Sequence, residues 1–225
     1  EMFAPQLEAN AALRAQLGSM TLEATARYTI ARRLEHKEQQ FADAVLLAAG
    51  LRVDAQADDG VVVPGQPATL TLVVANQGAS AVSVRQVGFR GFDGEAGQCR
   101  PGPVAGGALF RCQAKVTVSK QARLSTPYFT RLKDAARYAF EPDVPFGVPA
   151  RPTPFRAVFD LEVGGASLSV ERRVEHRYEG NIFSGEKRME LQVVPRLGVS
   201  AWPEIVIVPA RAASRAAAGR RAGTT

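Results

Sequence analysis

Two histidines and two cysteines among 225 residues leave this chain poor in the side chains from which metal centres are made. A zinc site gathers three or four His, Cys or acidic ligands, commonly in closely spaced pairs. His36 stands between Glu35 and Lys37, off the apolar side of a helix-like run, and reads as solvated. His176 shares a strand face with Leu168, Val170, Val174 and Tyr178, a face interrupted by Arg172, and reads as a structural histidine. No Gly-x-Ser-x-Gly nucleophile elbow occurs. Phosphate-binding glycine loops are missing too, because Gly102, Gly106 and Gly107 sit among Pro101 and Pro103 with no Lys-Ser/Thr and no following helix. No stretch approaches the ~20 apolar residues that cross a bilayer, and no signal-peptide pattern is found. Catalytic residues and metal ligands are therefore expected to be absent from this chain, and no cofactor is assigned to it.

The net charge of +6 invites a nucleic-acid reading, which its distribution weakens. Residues 1 to 50 hold five basic and six acidic side chains, and the stretch 51 to 210 is close to balance. The last fifteen residues, 211–225, carry four Arg and no acid and supply most of the excess. That Ala/Arg/Gly tail has nothing to bury and is expected to be disordered, a frame slip or artificial end standing where a further domain should follow. Neither a nucleic-acid partner nor a membrane span is expected. The chain opens inside a helix-like run, as a piece of a longer protein would.

What is present divides at Leu51. Residues 1–50 read as two helices, the first ending near Leu17 before Gly18-Ser19 and the second spanning about 22–49. Leu22, Ala26, Ile30, Leu34, Phe41, Val45 and Ala48 recur at helical spacing and set one apolar stripe. Thr21 can cap the start of this helix, Gly50 can end it, and Glu23 and Arg27 are spaced to pair. From Leu51 the apolar period changes to two. Leu70, Leu72 and Val74 oppose Thr69 and Thr71, and Asn76-Gln-Gly78 supplies a turn. Phe110, Cys112, Ala114, Val116 and Val118 alternate with polar residues, and so do Phe155, Ala157, Phe159, Leu161 and Val163. Gly164-Gly165 then marks a two-residue hairpin into one strand from Ala166 to Tyr178, with another strand marked by Met189, Leu191 and Val193. Prolines between Ser125 and Pro154 exclude central strands, leaving short edge strands near Tyr128–Leu132 and Tyr138–Phe140. The fold class is mainly β with N-terminal helices, a helical hairpin followed by an immunoglobulin-like antiparallel β-sandwich over 51–195. Val199-Ser-Ala with Val206-Ile-Val-Pro209 echoes Val53-Asp-Ala with Val61-Val-Val-Pro64, so 196–210 is expected to open a further, truncated β module.

A few side chains are candidates for contact. Cys99 and Cys112 can close a loop as a structural disulfide, worth roughly 3 kcal/mol if formed, against two buried thiols as the alternative. Tyr128, Phe129, Arg131 and Trp202 are candidates for glycan stacking or interdomain contact, with core packing the competing role for Phe129. Ile30, Leu34, Phe41 and Val45 form the candidate packing face of the long helix.

The helix with Ile30-Ala-Arg-Arg-Leu and Lys37-Glu-Gln-Gln-Phe41 runs into Leu46-Leu-Ala-Ala-Gly50-Leu-Arg-Val. Asp58-Asp-Gly-Val-Val-Val-Pro-Gly-Gln66, Thr126-Pro-Tyr-Phe129, Glu171-Arg-Arg-Val-Glu-His-Arg-Tyr178 and Leu191-Gln-Val-Val-Pro195 follow. In these pieces, over residues 20 to 209, the chain resembles the C-terminal, non-catalytic region of large bacterial PIG-L (LmbE-like) N-acetylglucosaminyl deacetylases. That family binds zinc through a His-Pro-Asp-Asp motif and a distal His in an N-terminal Rossmann-like domain. Asp58-Asp59 lacks the preceding His-Pro, and no catalytic role is carried over to it. The resemblance implies an extracytoplasmic, periplasmic or secreted parent, with zinc in a catalytic domain absent from this chain. That domain is then the first expected partner, and glycan the second. A stand-alone carbohydrate- or surface-binding sandwich is the alternative.

Overall fold

The computed structural model describes residues 4–93, 99–145, 147–181, 183–202 and 219–224. Two helices come first, α1 (Ala4–Gln16) and α2 (Ala24–Ala48). The cap of α2 is Glu23, not Thr21, because its carboxylate accepts from the first-turn backbone N–H groups of Thr25 at 3.0 Å and Ala26 at 3.1 Å. Those bonds hold the Glu23 carboxyl below its ordinary range. Glu23 therefore does not pair with Arg27. The Arg27 guanidinium donates to the carbonyls of Leu17, Gly18 and Met20, in the loop between the helices, at 2.9, 3.1 and 2.7 Å. The helices are held together by Asn10 Nδ2 donating to the Leu34 carbonyl at 2.9 Å and by the Arg14–Glu38 ion pair.

Strands begin at Leu51 with β1 (Leu51–Ala57), β2 (Val61–Val62), β3 (Pro67–Asn76), β4 (Val82–Arg90), β5 (Phe92–Asp93), β6 (Gly102–Val104) and β7 (Leu109–Val118). They continue with β8 (Phe129–Arg131), β9 (Tyr138–Phe140), β10 (Arg156–Val163), β11 (Ala166–Arg173), β12 (Glu175–Glu179), β13 (Glu186–Glu190), β14 (Gln192–Val193), β15 (Leu197–Trp202) and β16 (Gly219–Thr224). One sheet runs β13-β12-β1-β3-β7-β5 and another β11-β10-β4-β6. The period-two reading holds in detail: Ala68, Leu70, Leu72 and Val74 of β3 and Ala157, Phe159, Leu161 and Val163 of β10 are all buried, alternating with half-buried residues after exposed Pro67. These residues, with Ala42 and Leu46 at the end of α2, belong to one apolar core. The fold is thus mainly β with N-terminal helices, and the end of α2 is part of the same core.

Several expectations need correction. The six-stranded sheet is mixed, because β1 pairs in parallel with β12, and β14 and β2 form a separate parallel pair, whereas the four-stranded sheet is antiparallel throughout. The expected single strand from Ala166 to Tyr178 is broken at Val174, which is fully buried and donates its N–H to the Phe155 carbonyl at 3.0 Å. The chain changes sheets there, β11 lying beside β10 and β12 beside β1. A similar break at buried Leu191 divides the Met189–Val193 segment into β13 and β14. Strands β8 and β9 pair with each other as a separate ribbon, not along an edge of either main sheet. Ala48 of the expected helical stripe is exposed, and Ala42 and Leu46 take the core positions.

At the C-terminal end, β15 pairs antiparallel with β16. Of the tail expected over 211–225, the described residues 219–224 are those of β16. Residues 203–210 of the expected further module, and 211–218 and 225 of the tail, lie outside the described residues.

Candidate functional site

Between β7 and β10 the prolines keep the chain out of both main sheets, and this excursion shapes the surface most suited to contact. Its start is fastened to β14, Ser125 N–H donating to the Val193 carbonyl at 2.8 Å and Val193 N–H to Ser125 Oγ at 2.9 Å. The ribbon β8–β9 stands at its middle, closed by Glu141 N–H donating to the Tyr128 carbonyl at 2.9 Å. Tyr128 Oη donates to the Val148 carbonyl at 2.7 Å. Between the ribbon and the returning segment lies a groove of about 810 Å³, with Tyr128, Phe129, Arg123, Asp143, Arg151 and Gln192 among its lining.

Pairing of Phe129 with Phe140 and of Arg131 with Tyr138 puts these residues on one face of the ribbon. The rings touch in sequence: Tyr128 to Phe129 at 5.7 Å, Tyr128 to Phe140 at 5.7 Å, and Phe129 to Tyr138 at 5.4 Å between centroids. Phe129, Tyr138 and Phe140 remain 42, 53 and 60% exposed. Phe129 is therefore not a core residue.

Beside the rings is a closed ion network. Arg123 donates to Glu141 at 2.6 Å and to Asp143 at 2.7 Å, while Arg151 donates to Asp143 at 2.9 Å and also to Glu141. The bond from Arg151, helped by the charges of both arginines, holds the Asp143 carboxyl below its usual range, and Asp143 in turn raises Arg151. Sequence reading missed this network. Its members are spread from 123 to 151 through a proline-rich stretch with no periodicity, and only the return of the chain brings them together.

Other expected positions are separated from this groove. Trp202 is 77% exposed on β15 and does not line it. Cys99 and Cys112 are joined as a disulfide, tying the segment before β6 to β7. Ile30, Leu34, Phe41 and Val45 are all half-buried on α2. A smaller cavity of about 510 Å³ lies where Arg32 and His36 of α2 face Arg90, Arg156 and Glu171. His36 there meets Gln40 Nε2 at 3.3 Å, whereas His176 sits by the Ala57 carbonyl at 3.1 Å and stacks on Tyr178. Among the described residues no group of three or more His, Cys, Asp or Glu is placed to hold a metal ion. No helix among them is long and apolar enough to cross a membrane.

No family model matches the chain, and no curated protein does. Among solved structures it is similar to the sporulation control protein Spo0M of Bacillus subtilis, at 15% identity and a TM-score of 0.32, over 55% of this chain and 48% of that one. It is also similar to the alkylpurine DNA glycosylase AlkC of Pseudomonas fluorescens bound to DNA containing an abasic site analogue, at 13% identity and a TM-score of 0.28, over 70% of this chain and 40% of that one. The chain thus spans under half the length of each, and likenesses this distant carry no argument about function.

Proposed function

We propose that this chain is a non-catalytic accessory region of a larger enzyme, an immunoglobulin-like module whose helical hairpin packs on a neighbouring domain. The observation that carries the reading is the uneven burial of α2. Near its C-terminal end Ala42 and Leu46 belong to the core, whereas Ile30, Leu34 and Phe41 keep part of their surface in water, and Tyr28 and Leu47 of α2 and Leu13 of α1 are exposed. Apolar surface of this kind on a helix pair is favourable to cover. The family resemblance supplies the identity of the cover, the zinc-dependent deacetylase domain of a PIG-L-type parent outside the cytoplasm.

Hydrogen exchange of this chain alone and within the longer parent tests the reading. Amides of α2 from Ala24 to Phe41 should exchange more slowly in the parent, while those of β3 and β10 stay unchanged. Equal exchange of α2 in both would sink it. The alternative reading, a stand-alone carbohydrate- or surface-binding protein, is favoured by the exposed rings of the β8–β9 ribbon.

A further inference from the structure

We infer that the groove between the β8–β9 ribbon and the segment around Arg151 is a binding site for a neutral oligosaccharide. This goes beyond helix docking and gives the carbohydrate alternative, on which it rests, a defined place and ligand class.

The first ground is shape and surface. A groove of about 810 Å³ is ample for a few sugar rings, and Tyr128 and Phe129 line it while Tyr138 and Phe140 extend the aromatic surface along the ribbon. Aromatic faces of this kind cover the C–H faces of a pyranose, and ring-to-ring packing fixes them before the ligand arrives. A pair of short strands has little intrinsic stability in water. Keeping three exposed aromatics on such a ribbon, held by Tyr128 Oη on Val148 and by the adjoining ion network, is costly unless the rings meet something.

The second ground is charge. Within the network the charges of Arg123 and Arg151 are balanced by those of Glu141 and Asp143, so the network offers planar donors and acceptors with no net charge. Arg123 and Asp143 keep 60 and 51% of their side-chain surface in water, which leaves N–H groups and carboxylate lone pairs free to face a diol. Gln192 adds an amide on the same lining. A nucleic acid or an anionic polymer would meet Asp143 and Glu190 on that lining, and a cationic ligand would meet Arg123 and Arg151. A hydroxyl-rich, uncharged chain fits both the rings and the neutral network.

The test is a titration of the intact 225-residue chain with cello-, xylo-, manno- and chito-oligosaccharides, with polygalacturonate and heparin as anionic probes, followed by amide chemical shifts. The expected result is saturable binding of at least one neutral series, with shifts gathered at residues 121–129, 138–143 and 151–153. Phe129→Ala and Arg123→Ala should each weaken that binding by about tenfold. Shift mapping on the unaltered chain answers the question even if a variant does not fold. Neutral binding with shifts elsewhere, or untouched by these variants, overturns the groove and leaves the carbohydrate reading standing. Binding of anionic probes alone overturns the neutral class. No binding of any probe overturns both.

Discussion

At the scale of single residues, the clearest energetic consequence comes from Asp54. Its carboxylate on β1 receives Arg188 from β13, at 3.1 and 3.3 Å, across the intervening β12. Partial burial raises the Asp54 pKa, but hydrogen bonds from Gln56 and Arg188 outweigh it and the group ends below its ordinary 3.8. A carboxyl depressed on folding contributes stability that is fully present above the unfolded pKa and is lost as pH falls through the folded value. Asp54→Asn should therefore destabilise the chain by about 1 kcal/mol at neutral pH, with the deficit starting to shrink below about pH 4 and gone only once pH has fallen through the lower folded value. Urea midpoints measured from pH 3 to 7 check this, and a deficit independent of pH would rule out the ion pair as its cause. Asp143 in the groove has the same sign, so the ribbon should loosen over the same acidic window. The disulfide acts on the unfolded chain instead: its Cys99–Cys112 loop, with a sequence separation of 13, is worth about 3 kcal/mol, to be read as the difference between oxidised and reduced protein in the same denaturant series.

At the scale of elements, the joint between helix and sheet depends on two glycines that meet. Gly50 takes φ +67° to end α2, and its carbonyl accepts from Gln77 N–H at 2.8 Å, which brings Gly78 of the β3–β4 turn against the helix end. A Cβ on Gly78 would lie 2.1 Å from the Ala49 carbonyl oxygen, so Gly78→Ala must push the turn off the helix. A loss of about 2–3 kcal/mol is expected, visible as a lower melting temperature, and a neutral effect would show that the turn moves freely. The turn was legible because Asn76-Gln-Gly78 is local chemistry, and buried Asn76 indeed donates to the Ser80 and Val104 carbonyls at 3.0 and 2.9 Å. The alternation of β3, β7 and β10 was legible for the same reason: each strand writes its own burial. What could not be read were partners. Nothing in Ala166–Tyr178 announces that Val174 carries the chain from one sheet to the other, except Arg172 on the apolar face, which pairs with Asp43 of α2 at 2.8 Å. Nor does the sequence show that Arg123, Glu141, Asp143 and Arg151 converge, because the spacing between them is set by a loop without period. Tyr128 and Phe129 were singled out from residue type alone; their neighbours Tyr138 and Phe140 were assigned only to a short edge strand.

At the scale of the whole molecule, the helical hairpin is half inside and half outside the β body, and the two halves should respond differently to truncation. Leu46 is 3% exposed and lies in the same core as Leu70 and Phe159. Removing its side chain leaves a cavity that the sheet cannot fill, so Leu46→Ala should cost about 2–4 kcal/mol whether or not another domain is attached. Ile30 is only half-buried and gives up less surface when shortened. Ile30→Ala should cost about 1 kcal/mol or less in the isolated chain. If a neighbouring domain covers this stretch, the same substitution removes surface that has become fully buried, and its cost should rise by roughly 1–2 kcal/mol in the longer protein while that of Leu46→Ala stays the same. Denaturant midpoints of both variants in both contexts measure the difference. Equal costs for Ile30→Ala in the two contexts would mean that α2 faces water in the parent as well, and the accessory reading would lose its physical basis.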